Sequence, residues 1–218
     1  ITAFRESYTT MDELLVGADK ELENLKFIRE QLLKERDGFF VTRKAMPANA
    51  AAYALSASQP GNTVYTAMHE DKKNDLFVAR LYEAAGEDAI TGKEKMIPID
   101  EAPGIHNGLA TFSKEGKKMF FTRWMVNNGV TTSAIYSSDK TDTGWTKPVP
   151  LPEPVNMEGS NSAQPFITTD GKYLLFSSNR KGSIGKYDIW YAALDTNFNA
   201  LLVTNAGNIV NTAGDETA

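Results

Sequence analysis

Gln164-Pro165-Phe166-Ile167-Thr168-Thr169-Asp170-Gly171-Lys172-Tyr173-Leu174-Leu175-Phe176-Ser177-Ser178 reads as two short strands joined by a tight turn. The flanking runs are apolar and rich in aromatic and β-branched residues. Asp170-Gly171-Lys172 supplies the turn, with a glycine able to take the positive φ that a hairpin requires. Gly171 has counterparts. Gly61, Gly116 and Gly171 stand 55 residues apart (116 less 61, and 171 less 116), and each precedes an apolar run: Val64-Tyr65, Met119 to Thr122, and Tyr173 to Ser178. A second ladder keeps the same step, from Gly104 to Gly159 and from Val155-Asn156 and Gly159 to Val210-Asn211 and Gly214. Two ladders in one register mark a repeated structural unit, and the repeat governs how every other residue is interpreted.

Each unit continues past its hairpin. A glycine-rich turn from Asn179 to Lys186 leads to Tyr187-Asp188-Ile189-Trp190-Tyr191-Ala192, a third strand matched by Ala134-Ile135-Tyr136 and by Asp75-Leu76-Phe77-Val78. Gly144-Trp145-Thr146-Lys147-Pro148-Val149 suggests a fourth. Four short antiparallel strands per unit predict an all-β fold, a β-propeller of four-stranded blades, whereas a β-sandwich has no reason to repeat its turn chemistry at this interval. The 218 residues hold three such blades and the start of a fourth. Closed propellers have about 4 to 8, so the chain is expected to be part of a larger ring.

Residues 1–44 differ from residues 45–218, which hold the blades. Thr10 and Glu13 fit a capping box, Gly38 sits where a C-terminal cap belongs, and Met11, Leu14, Leu15, Ala18, Leu22, Leu25, Ile28, Leu32 and Leu33 recur at three- and four-residue steps. The pattern predicts one long amphipathic α-helix over 11 to 37, packed on the propeller or ending an upstream helical domain. Phe39-Phe40-Val41 is then expected to be a strand that closes the last blade.

Composition narrows the function classes. With 23% charged residues and a net charge of −5, the chain lacks the basic stripe of a nucleic-acid surface, so no nucleic-acid partner is expected. No apolar run approaches the roughly 20 residues of a membrane-spanning helix, and no transmembrane segment is expected. The absence of cysteine removes disulfides, thiol catalysis and cysteinyl metal sites.

Phe112-Ser113-Lys114-Glu115-Gly116-Lys117-Lys118-Met119-Phe120-Phe121-Thr122-Arg123 and Thr168 to Arg180 resemble the TolB-type, WD-like propeller repeat, in which aspartate, glycine and lysine precede an apolar strand ending in serine or threonine and arginine. Glu115 stands where that repeat has aspartate, and Gln59-Pro60-Gly61-Asn62-Thr63 keeps little beyond its glycine. More narrowly, His106 to Phe112, Trp145 to Pro152 ahead of Asn156, and Gly182 to Tyr191 are similar to the propellers of Bacteroidota envelope proteins that also carry an OmpA-like peptidoglycan-binding domain. These include the PorE-like component of type IX secretion. The resemblance implies a periplasmic, outer-membrane-associated scaffold. Its partners would be envelope proteins or other propeller segments of the same polypeptide, with glycan or peptidoglycan bound through other domains.

The residues themselves offer little chemistry. His69 and His106, the only histidines, lie in no ligand-spaced cluster, so neither a metal nor another cofactor is expected, and His106 is assigned a structural role. No serine occupies a Gly-x-Ser-x-Gly elbow. Ser137 to Trp145 approximates the Asp-box of sialidase-like propellers but lacks its glycine after Lys140. Gly182-Ser183-Ile184-Gly185 lacks the lysine and hydroxyl ending of a phosphate loop, so Asp188 is expected to cap that turn by accepting backbone N–H groups. Arg123 and Arg180 end corresponding strands, offset by two residues in register, and salt bridges to an adjacent blade are expected for both, the alternative being a polar partner near the ring's mouth.

The reading is a non-enzymatic binding or scaffold module with no catalytic residues. His106, Asn107, Asn161, Ser162, Gln164, Asp215 and Glu216 lie in loops before equivalent strands and are expected to share one mouth of the ring as contact residues. Gly61, Gly116, Asp170, Gly171 and Asp188 are its structural turns. The alternatives are a propeller-type glycosidase using Glu115, Asp170 or Asp188 as an acid and base pair, which requires two carboxyl groups about 5 to 9 Å apart, and a purely structural spacer.

Overall fold

A computed structural model describes residues 52–71, 76–85, 95–99 and 102–217, together with Leu22, Leu25, Lys26 and Arg29. The chain divides into two compact units, Ile1–Arg43 and Lys44–Ala218. In the first, the four described residues are helical. The rest of the helix expected over 11 to 37 and the strand expected at Phe39 to Val41 lie outside the described residues.

The second unit is built from antiparallel meanders. The first sheet runs β1 (Ala52–Gln59), β2 (Asn62–Asp71), β3 (Leu76–Ala85) and β4 (Lys95–Met96). The second runs β5 (His106–Phe112), β6 (Lys118–Asn127), β7 (Val130–Thr141) and β8 (Gly144–Trp145), with β9 (Val149–Pro150) also paired to β7. The third runs β10 (Ser162–Ile167), β11 (Tyr173–Ser178), β12 (Asp188–Leu194) and β13 (Ala200–Asn205). Among the described residues these are three blades of four or five strands, and the sheets are not closed. After β13, residues 206–217 form no strand among the described residues, in keeping with the expectation that they are the loop leading towards a further inner strand. Within it Glu216 donates its N–H to the Tyr187 carbonyl of the third blade.

The core lies between blades. Val64 and Leu81 of the first blade meet Phe112, Met119 and Phe121 of the second, with Ile97 and Ile99 of the connection. Phe120, Ile135 and Val155 meet Ile167, Leu174, Phe176 and Trp190 of the third. Alternation along the strands explains this: neighbouring residues face opposite sides of a blade, so Met119 and Phe121 pack one way and Phe120 the other. Each such side chain contributes about 1.5 to 3 kcal/mol when fully buried, which makes the blade faces the main source of cohesion.

The three turn glycines have φ of 80°, 65° and 72° at Gly61, Gly116 and Gly171. A second conformational repeat lies in the first strand of each blade. Ala54, Leu109 and Gln164, again 55 residues apart (109 less 54, and 164 less 109), have φ of 53°, 57° and 55°. Each sits at a register shift, between Tyr53 and Ser56, Gly108 and Thr111, and Ala163 and Phe166. Every first strand is therefore bulged at the same point, which re-aims one side chain.

Candidate functional site: the mouth of the inner strands

Because β5 lies against β1 on one side and β10 on the other, the first strands of the blades form the inner layer. Their N-terminal ends point one way and the turn glycines the other. At the N-terminal end two hairpins overhang: β2 continues past Ala67, the partner of Ala52, and β6 continues past Trp124, the partner of His106. Met68, Phe77, Met125, Val126 and Val130 are exposed on these overhangs. In the third blade β11 stops at Ser178, opposite Ser162, so its mouth edge is formed by the glycine-rich turn instead.

Two cavities open here. One of about 280 Å³ is lined by the inner strands and their neighbours: Tyr53, Leu109, Trp124, Gln164 and Tyr187, with the hydroxyls of Thr122, Thr131, Ser133 and Ser177. The other, about 390 Å³, shares Trp124, Thr131 and Ser133 and is bounded by Val130, Tyr136 and Gly159 to Asn161. The bulges explain the first. Leu109 donates its N–H to Thr66 Oγ1 at 2.8 Å, and Gln164 donates its N–H to Thr122 Oγ1 at 2.8 Å. A threonine on the second strand of one blade thereby fixes the bulge of the next.

The residues expected at the mouth separate into three groups. Gln164 and Asn161 line the cavities. Asn107 and Ser162 do not reach solvent, at 0% and 1% exposure, which corrects their expected role as contact residues. Asn107 Oδ1 accepts from Arg123 Nε at 2.9 Å, and Ser162 Oγ donates to the Val155 carbonyl at 2.9 Å and accepts from Arg180. The third group is tied to neighbouring strands. His106 stacks on Trp124, ring centres 5.0 Å apart, and its Nδ1 accepts the Ala79 N–H at 3.2 Å. Burial, and then the charge of Arg80, push the His106 pKa down. Asp215 Oδ1 accepts the Tyr187 N–H, and the Glu216 carbonyl accepts from Ser177 Oγ. Asn161 Oδ1 likewise takes the Ser133 N–H at 2.7 Å, blunting the free edge of β7.

Tyr53, Leu109, Trp124 and Tyr187 were not singled out in the sequence. The signal that could have found them is positional: Leu109 lies 55 residues before Gln164.

The named carboxylates lie elsewhere. Glu115 and Asp170 are at the glycine-turn end, where they line a separate cavity of about 390 Å³ with Asp195. The Thr168 hydroxyl and the Lys172 N–H donate to Asp170 Oδ1 and hold its pKa low. Asp188 is buried within its blade. Burial raises its pKa, but the N–H groups of Ile184 and Gly185 and the Asn205 amide donate to it, and the net direction is downward. None of the three lines the axial cavity.

The salt bridge expected for Arg180 is replaced by neutral acceptors. Its guanidinium donates to the Pro154 and Val155 carbonyls and to the Ser162 and Ser178 hydroxyls, and packs over Phe176 and Trp190. Burial pushes its pKa down to about 10, so it stays charged near neutral pH. The Arg123 guanidinium lies over Tyr136, 4.5 Å from the ring centre. Among the described residues no group of three or more His, Asp or Glu is placed to hold a metal ion.

No family model and no curated protein matches the chain. Solved structures similar to it include a thermostable family-43 glycoside hydrolase, at 16% identity with TM-score 0.47, covering 74% of this chain and 55% of that one. A protein of Agrobacterium tumefaciens assigned to TolB matches at 19% identity with TM-score 0.40, over 66% and 42% of the two chains. The acylaminoacyl peptidase of Pyrococcus horikoshii matches at 14% identity with TM-score 0.44, over 72% and 25%. The chain thus spans about half the length of these proteins or less. They share propeller folds, and at these identities the likeness concerns fold alone. It nevertheless corrects the expectation of a non-enzymatic module: the similar structures are mostly enzymes, a glycoside hydrolase and peptidases, although their activities do not transfer to this chain.

Proposed function

We propose that this chain is a binding and assembly module of a bacterial cell-envelope protein, periplasmic and associated with the outer membrane, which receives a protein partner at the mouth of its inner strands. The observation that carries the reading is the pair of overhanging hairpins. Met68, Phe77, Met125, Val126 and Val130 put apolar surface beyond the blades at one end, and Met125 and Val130 border a cavity of about 390 Å³. Apolar groups clustered at a rim beside a concave site are the usual signature of a protein contact. The envelope setting rests on the repeat phrases around Gly116 and Gly171 and on the Asp188-Ile189-Trp190-Tyr191 ending. Other propeller segments of the same polypeptide are proposed to pack on the open face of the third blade, which repeats the face that the third blade covers on the second.

A photo-crosslinking residue at Val126 or Val130, introduced in the full-length protein in its source cells, tests both parts. The expected result is a crosslinked protein partner in the outer-membrane fraction. A cytoplasmic location, or no crosslink at either position, would overturn the reading.

A further inference from the structure

We propose that the axial cavity is a binding site for a neutral saccharide, and that the bulge residues Leu109 and Gln164 are the positions that tune its specificity. The site shares Trp124, Thr131 and Ser133 with the cavity beside the apolar hairpin rim but does not depend on the partner proposed for that rim.

The backbone is the first observation. A non-glycine residue held at positive φ costs roughly 1 to 3 kcal/mol unless its surroundings impose the conformation. The repeat nevertheless places one in every inner strand, at Ala54, Leu109 and Gln164. Glycine would relieve the strain but would present no side chain. Two of the three bulges are fixed by a threonine of the preceding blade, so their geometry is set by the repeat while their side chains differ: methyl, isobutyl and carboxamide. Leu109 and Gln164 both line the axial cavity.

The lining is the second observation. It combines three aromatic rings, Tyr53, Trp124 and Tyr187, with the five hydroxyl side chains of Thr122, Thr131, Ser133, Ser177 and Thr217 and one amide, and it contains no Asp, Glu, Lys or Arg. A charged ligand would lose its hydration there without gaining a counter-charge. A purely apolar ligand would leave the Thr131 and Ser133 hydroxyls facing carbon, at a cost of about 1 to 3 kcal/mol for each polar group it strands. A sugar ring satisfies both constraints, with C–H faces for the aromatic rings and hydroxyls for Ser133, Thr131 and Gln164. At about 280 Å³ the cavity is at the small end of ligand pockets, which run from about 300 to 1,000 Å³. This suits one or two rings rather than a polymer.

The test uses cellobiose, maltose and N,N′-diacetylchitobiose against the purified chain, read by saturation-transfer NMR and by tryptophan fluorescence. At least one disaccharide is expected to bind saturably in the millimolar range. Leu109→Asp, chosen because aspartate tolerates positive φ, places a carboxylate in the cavity and should weaken that binding at least about tenfold. If this variant does not fold, Tyr53→Leu, which removes one aromatic face at a partly exposed position, is expected to weaken binding severalfold. Absence of binding by all three sugars overturns the proposal, as does binding that is unchanged in the folded variant. Because the hairpin crosslink is read independently, failure of one proposal leaves the other standing.

Discussion

His106 shows how a residue with apparent chemical potential is absorbed by the fold. Its Nδ1 is occupied by the Ala79 N–H from the first blade while its ring lies on Trp124 of the second, so the neutral imidazole joins two blades. Burial and the charge of Arg80 both disfavour the imidazolium, and the folded pKa lies below the ordinary 6.5. The sign of the consequence is fixed by linkage: the unfolded chain binds the proton more readily, so stability is fully present above pH 6.5 and is lost as pH falls from there through the folded value. Replacement by asparagine keeps an acceptor near the Nδ1 position but does not titrate. Urea midpoints should therefore fall between pH 7.5 and pH 5 in the parent, and fall less in His106→Asn. Equal slopes in the two proteins would show that His106 does not carry the pH dependence.

At the scale of the strand, the bulge and its threonine form the unit that links blades. Thr122→Val keeps shape but removes the acceptor of the Gln164 N–H, leaving that donor unpaired at a nearly dry join. The expected loss is about 1 to 3 kcal/mol in denaturant unfolding, with faster hydrogen exchange at the Gln164 amide. An unchanged exchange rate would mean that the bulge holds without the threonine. These units also mark where sequence reading stopped. The hairpins of the second and third blades were legible because glycine, lysine and an apolar run recur at a fixed step. The bulge was not, since Ala54, Leu109 and Gln164 share a backbone angle and no residue type. The strand from Ala200 to Asn205 was also missed, because its two exposed leucines, Leu201 and Leu202, carry no turn signal on the scale of the earlier copies. Asn107 and Ser162 looked like mouth residues from their loop positions. Only the structure shows arginine side chains, from Arg123 and Arg180, folding back to claim them.

For the whole molecule, the repeat makes each blade a template for its neighbour's burial, and the template is unequally filled. Val155, on the second blade, is 1% exposed in the core formed with the third; Val210, 55 residues on (210 less 155), is 51% exposed. The same contrast separates Thr111, which is buried, from Phe166, which is 58% exposed. Equal sequence positions thus carry unequal energetic weight, and one substitution made at both sites should reveal it. Val155→Asp places a carboxylate among Phe120, Ile135, Ile167 and Leu174, where the neighbouring cation, Arg180, is already held by the Pro154 and Val155 carbonyls, and should cost at least about 3 kcal/mol. Val210→Asp exposes its charge to water and should stay within about 0.5 kcal/mol, while reducing any concentration-dependent association through the open apolar face. Urea unfolding of the two variants, with sedimentation velocity of the second, checks both expectations. A comparable loss of stability in the two variants would mean that the third blade's outer face is as dry as the second's, and the open-face description would fall.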